Sequence, residues 1–184
     1  MRSRSRHALT AVAALCCAIC FIGFDCEAQT APVKPSDNRV MRERIATIFR
    51  ETLKQGEIAV ERNGRRQVTA RAFVPPSTEY VDEIRRYGDD AIPILAEYLN
   101  SGSGFEEYLA MRFLGSMGGK GVVEPLRKVA LNDVSSSFRL VALLWLSETP
   151  WDLASPIIQQ VAGNDTSPEV REKAKEILAQ HESR

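Results

Sequence analysis

Beyond residue 28 the sequence has no cysteine, and its one histidine there is His181, near the end of the chain. The four cysteines, Cys16, Cys17, Cys20 and Cys26, all fall in the first 28 residues. A chain so composed cannot be stapled by disulfides, and it cannot assemble a cysteine–histidine or serine–histidine pair or a zinc ligand set around a well-placed imidazole. An excess of charge is missing too. Without residues 1–28, which hold Arg2, Arg4, Arg6, Asp25 and Glu27, there remain 21 basic against 22 acidic residues, a net charge of −1. That balance gives no general electrostatic pull towards nucleic acid or anionic lipid.

Phosphate and dinucleotide loops are lacking as well. Gly115-Ser-Met-Gly118-Gly119-Lys120-Gly121 has Leu114 where a phosphate loop needs glycine and Gly121 where it needs Ser or Thr, and it joins two helical segments. Gly102-Ser-Gly104 is followed by Glu107 where the third glycine of a dinucleotide fingerprint belongs. Asp89-Asp90 is the one adjacent aspartate pair. At a helix start just after Gly88, it serves orphan N–H groups and the macrodipole without any catalytic role.

What is present begins with an export signal over residues 1–28. Three arginines precede an apolar run from Ala8 to Phe24, and Cys26-Glu27-Ala28 offers small residues at the two positions a signal peptidase reads. The run is short for a bilayer span, so retention as an anchor is the secondary reading. The chain is expected outside the cytoplasm, periplasmic or extracellular, with no membrane association after cleavage. Residues 29–38, with two prolines, read as a flexible leader.

The second half carries an echo. Asn132-Asp133, Phe138, Arg139, Ala142 and Leu146 recur 32 positions later as Asn164-Asp165, Val170, Arg171, Ala174 and Leu178. Asn100, Ala110 and Leu114 stand 32 positions before their counterparts, and Pro93 does the same for Pro125. A fixed period of this size marks units that each bury a neighbour's apolar face.

Between the leader and the repeats, residues 39–76 form a separate region. Met41, Ile45, Ile48, Phe49 and Leu53 predict an amphipathic helix that Gly56 ends. Ile58-Ala59-Val60 and Val68 to Phe73 flank Arg62-Asn63-Gly64-Arg65, and an Asn-Gly pair between β-prone runs predicts a hairpin. From 77 to 184 the spacing predicts helices near 78–87, 89–99, 104–117, 121–131, 136–147, 152–162 and 167–180. Helix 136–147 is apolar nearly all round, as suits an element packed on both sides, whereas 167–180 has one apolar stripe and reads as a cap. Ser167-Pro168-Glu169 supplies it with an N-cap serine and a first-turn proline.

Asp165-x-Ser-Pro-Glu-Val170-Arg171-x-x-Ala174-x-x-x-Leu178 resembles the short HEAT-like repeat, also called the phycobilisome-lyase-type HEAT repeat. So does Ala110-x-x-x-Leu114-Gly115-x-x-Gly118 with Val122-x-x-Pro125-Leu126. The resemblance covers about residues 77–180, and the first unit departs from it, without the Asp and Arg and with Asp82 at a small apolar position. It implies an all-α, right-handed α-α solenoid of about three helix pairs plus a capping helix, with the second helices lining a concave face.

Asp133 with Arg139 and Asp165 with Arg171 read as a polar ladder of the repeat itself, aspartates bonding their own turns and arginines reaching an adjacent loop. Candidate partner-binding residues are Glu97, Arg127, Lys128, Gln159 and Gln160 on the second helices, and Trp151 as an exposed aromatic anchor. Arg127 and Gln159, like Lys128 and Gln160, share a repeat position and so form columns. Trp145 is assigned to the core, and His181 to a solvated terminus. The function expected is a non-enzymatic protein-binding or scaffolding module of the bacterial cell envelope, without cofactor or metal, whose partner is another protein. Its rivals are a lyase-type HEAT-repeat enzyme or chromophore-attachment helper, and a membrane-tethered accessory subunit.

Overall fold

The computed structural model of the protein describes residues 38–62 and 65–183, and it is mostly helical. The expected export signal and leader, up to residue 37, and the Asn63-Gly64 pair lie outside the described residues. Helix α1 (Asn38–Gln55) buries Met41, Ile45, Ile48, Phe49 and Thr52 on one face, and Leu53 is half-buried beside them. Gly56 follows, and its carbonyl accepts a 2.8 Å hydrogen bond from the Ala72 amide. A Cβ at Gly56 would collide with the Ala72 carbonyl oxygen, so this close approach requires glycine.

The two expected strands are present: β1 (Glu57–Arg62) pairs antiparallel with β2 (Arg65–Arg71), with Arg62 opposite Arg65. A register shift at Ile58/Ala59 makes a bulge there. A two-stranded ribbon is marginal alone, and this one is tied down just after β2, where Phe73 stacks on Phe105 at 4.6 Å and meets Tyr108 edge-on at 4.9 Å.

Helix α2 (Thr78–Tyr87) is opened by Ser77, whose hydroxyl accepts from the Tyr80 amide. One continuous helix is expected over 89–99, but a 3-10 turn at Gly88–Ala91 precedes α3 (Ile92–Tyr98). Pro93 accounts for the break, because its ring clashes with the Asp89 carbonyl of a continued α-helix and it donates no N–H. Helices α4 (Gly104–Met117), α5 (Val123–Asn132), α6 (Ser136–Leu146), α7 (Trp151–Asn164) and α8 (Pro168–Glu182) follow.

Neighbouring helices pack in pairs, α3 with α4, α5 with α6 and α7 with α8. Across the pairs, α2 touches α4, α4 touches α6, α6 touches α8, and α5 touches α7. Residues 32 apart occupy matching places in this packing: Ala110, Ala142 and Ala174 are fully buried, as are Ile94, Leu126 and Ile158 within the 1% exposure of Ile94. Small alanines on α4, α6 and α8 let these helices approach closely, while the branched residues on α3, α5 and α7 fill the core from the other side.

Two local expectations change. Helix α6 meets α4, α5, α7 and α8, yet Leu144 remains 46% exposed, so its apolar surface is not wholly covered. Ser167 stands at the N-cap of α8 without making a side-chain cap; its amide instead donates to Asp165 Oδ1 at 2.7 Å. Ser135 repeats this with Asp133 Oδ1, also at 2.7 Å. Each carboxylate, two residues upstream, closes an Asx turn on the amide of the N-cap serine.

Candidate functional site

A groove of about 560 Å³ runs between α3 and α5. Ala96 and Leu99 form its α3 side, and Pro125 and Val129 its α5 side, which gives the floor an apolar character. Glu124, Arg127 and Lys128 rise from α5, while Asn100, Asn132 and Asp133 close the end where both helices stop. Asn100 and Asn132 stand 32 residues apart, and each side-chain amide donates to the carbonyl four residues before it, Ala96 and Lys128. Both are thereby held in one orientation at the ends of their helices.

The electrostatics are local. Arg127 holds Glu124 through two hydrogen bonds of 2.6 and 2.8 Å, and this contact draws the Glu124 carboxyl below the usual carboxylate range. Lys128 is exposed at the groove's edge, and its charge acts weakly on Glu124. Glu97, next to groove residue Ala96, turns to Arg42 of α1 and forms a two-point ion pair, one contact of which is 2.9 Å. That guanidinium keeps the Glu97 carboxyl low.

Of the residues expected on a binding face, the structure brings Arg127 and Lys128 into the groove. Glu97 borders it but is engaged by Arg42. Gln159 and Gln160 are exposed on α7, the helix next to α5, and do not line the groove. Trp151 starts α7 half-buried, with the ring of His181 stacked on it at 3.7 Å between centroids. The indole expected as an exposed anchor is stacked against His181, which itself remains exposed, because α8 folds back along α7. Trp145, half-buried on α6, lies over Gly115 of α4, where any Cβ would strike the indole. Arg112 caps the same ring at 5.4 Å.

The ladder joins successive turns. Arg139, with its side chain only 9% exposed, donates to both carboxylate oxygens of Asp165, at 2.7 and 2.8 Å. Its Nη1 donates to the Asp133 carbonyl at 2.8 Å. Arg171 likewise donates to the Asp165 carbonyl. Sequence reasoning left out Glu124, Asn100, Asn132 and Asp133 as groove residues; for the two asparagines the repeat itself carried the signal. It also passed over Glu107 of α4, whose Oε1 is enclosed and has no hydrogen-bond partner, and whose carboxyl burial and Asp133 push up to about 8.

A second concavity of about 520 Å³ lies beside α1, floored by Phe49, Leu53 and Tyr98 and edged by Arg50, Lys54 and Arg71. Arg71 is drawn off by Glu57 at 3.3 Å. Among the described residues no group of three or more His, Cys, Asp or Glu is placed to hold a metal ion, and no helix is long and apolar enough to cross a membrane. In comparisons with family models, curated proteins and solved structures, nothing matches the chain.

Proposed function

We propose that the protein is a non-enzymatic protein-binding or scaffolding module of the bacterial cell envelope. In this reading residues 1–28 are an export signal, and residues 77–184 form a right-handed α-solenoid of about three short HEAT-like helix pairs closed by α8. The 32-residue recurrence of buried alanines supports the repeat, as does the Arg139–Asp165 rung between consecutive turns. The observation that carries the function is the groove between α3 and α5. An apolar floor bordered by a cation and by amide side chains suits a segment of another protein, with the polar edge fixing its register. The sole histidine beyond residue 28 lies stacked on Trp151 and is not a groove residue, which favours binding over catalysis.

The test compares full-length protein with an Arg127→Glu, Lys128→Glu variant in cross-linking capture from envelope extract. A defined protein captured by the wild type and lost from the variant, with melting unchanged, supports the groove. Equal capture by both moves the binding surface elsewhere. Intact-mass measurement of the purified protein checks the signal, for which the expected mature chain starts at Gln29.

A further inference from the structure

Charge is divided along the chain. Residues 38–76 carry nine basic and four acidic side chains, whereas residues 77–184 carry 11 basic and 17 acidic ones. The near-neutral total therefore conceals a basic region followed by an acidic one. Part of the basic excess is answered internally. Arg39 of α1 pairs with Glu43, Arg42 with Glu97 of α3 and Arg44 with Glu83 of α2. The other six cations, Arg50, Lys54, Arg62, Arg65, Arg66 and Arg71, fall between the second half of α1 and the end of β2.

Four of the six share the surroundings of one carboxylate. Arg50, Lys54 and Arg71 line the concavity beside α1 together with Glu57, and Arg66 comes within 3.8 Å of that same glutamate. Glu106 is the other acid there. Among the described residues, no ion pair includes Arg50, Lys54 or Arg65. Strand alternation sets Arg66, Val68 and Ala70 on one face of β2, and the pairing brings Ile58 beside Ala70. All four are exposed, Ile58 by 52% and Val68 by 48%, so arginine and branched apolar side chains share an open face. Arginines on a ribbon oppose strand addition by another chain. Residues 57–71 hold no aromatic side chain on which bases could stack. Cations interleaved with exposed aliphatic groups match a surface that is anionic outside and apolar just beneath.

We propose that the β1–β2 ribbon and the adjoining end of α1 dock on a bilayer surface rich in anionic phospholipid, with Arg50, Lys54, Arg65 and Arg66 at the headgroup phosphates and Val68 and Ile58 inserted beneath them. Charge complementarity selects this occupant and also orients the molecule, because the acidic region 77–184 is repelled by the same lipid. Docking is independent of what the α3–α5 groove binds. Since the attraction is electrostatic and the side chains are exposed, salt weakens it.

Flotation of the purified full chain with vesicles is the test, phosphatidylcholine alone set against phosphatidylcholine mixed with phosphatidylglycerol. The protein should float with the mixed vesicles at low salt and be released at high salt. Arg65→Gln combined with Arg66→Gln should weaken the partition by more than about tenfold, with melting unchanged. Val68→Ser should weaken it several-fold, and an unaffected Val68→Ser would remove the insertion. Lys173→Gln combined with Lys175→Gln takes the same charge from α8 and should float as wild type does. The deciding readout is the difference between wild type and the ribbon variant on mixed vesicles, to which a retained export signal would contribute equally. Equal flotation of those two proteins, or none, overturns the docking, as does an equal loss in the α8 variant. In a protein that does not float, a shift of duplex DNA lost from the ribbon variant would assign the cations to nucleic acid. A salt-sensitive dimer lost from that variant would assign them to the acidic region of a second copy.

Discussion

Arg139 and Asp165 lie 26 residues apart in the chain and meet through two parallel hydrogen bonds of 2.7 and 2.8 Å. Both side chains are nearly out of water, with exposures of 9% and 4%. With Nη1 on the Asp133 carbonyl, one guanidinium fastens the turn before α6 to the turn before α8.

Removing that guanidinium strands the Asp165 carboxylate in a poorly hydrated place. Arg139→Leu is expected to cost about 3–5 kcal/mol, measured as a shift in urea midpoint at constant slope. An unchanged midpoint would mean that water, not Arg139, solvates Asp165.

The same pair sets an acid limb. Arg139 first, then the Ser167 amide, hold the Asp165 carboxyl below its ordinary value of 3.8, against the opposing effect of burial. A lowered folded pKa contributes stability that is complete above the unfolded value and lost as pH falls through the folded one. The wild type should therefore lose stability below about pH 4. Asp165→Asn, which keeps an acceptor for Ser167, should show a shallower loss there and a lower plateau at neutral pH. Parallel acid limbs in the two proteins would remove Asp165 as their source.

Packing between first helices gives a sharper contrast. Ala142 and Leu146 are both fully buried on α6. Ala142→Leu overfills the contact and should cost about 1–3 kcal/mol. Leu146→Ala opens a cavity and should cost about 2–5 kcal/mol. Gly115→Ala belongs with the overfilled class, because the added methyl meets the rigid Trp145 indole rather than a flexible chain end. Melting midpoints of the three variants equal to wild type would mean that α4 and α6 do not meet along these positions.

The helices were legible because their apolar spacing and punctuating glycines act over a few residues. Asn63-Gly64 marked the hairpin for the same reason, and β1 and β2 flank it as expected. The Asp–Arg ladder was legible through repetition, since a pair that recurs with the core positions has to sit in matching turns. Contacts that depend on how distant segments fold back were not legible. His181 gives no local sign that α8 will carry it to Trp151. Glu107 could be told from a surface acid only by laying its unit against the next, where Arg139 stands.

His181 and Trp151 offer a compact test of the α7–α8 junction. Stacked aromatic rings contribute about 0.5–1.5 kcal/mol beyond the area they bury. His181→Ala should lower stability by about that amount and shift the emission of Trp151 towards longer wavelength, most clearly with Trp145→Phe removing the second fluorophore. Emission and midpoint unchanged by His181→Ala would mean that the ring does not cover the indole.

Helix α8 packs Val170 and Ala174, both fully buried, together with Ile177 against α6 and α7. Its outer face carries Glu172 paired with Lys175 and Lys173 paired with Glu176, so it presents one apolar stripe and one solvated side. Deleting residues 167–184 leaves Asp165 for Arg139 but uncovers the apolar flank of α6 and α7 and unstacks Trp151. The truncated protein is expected to aggregate, read by light scattering after size exclusion, because the exposed flank has no second stripe to meet. A detachable docking arm predicts the opposite: a monodisperse truncation that melts like the full chain and loses only a partner. That outcome would assign α8 to recognition instead of closure.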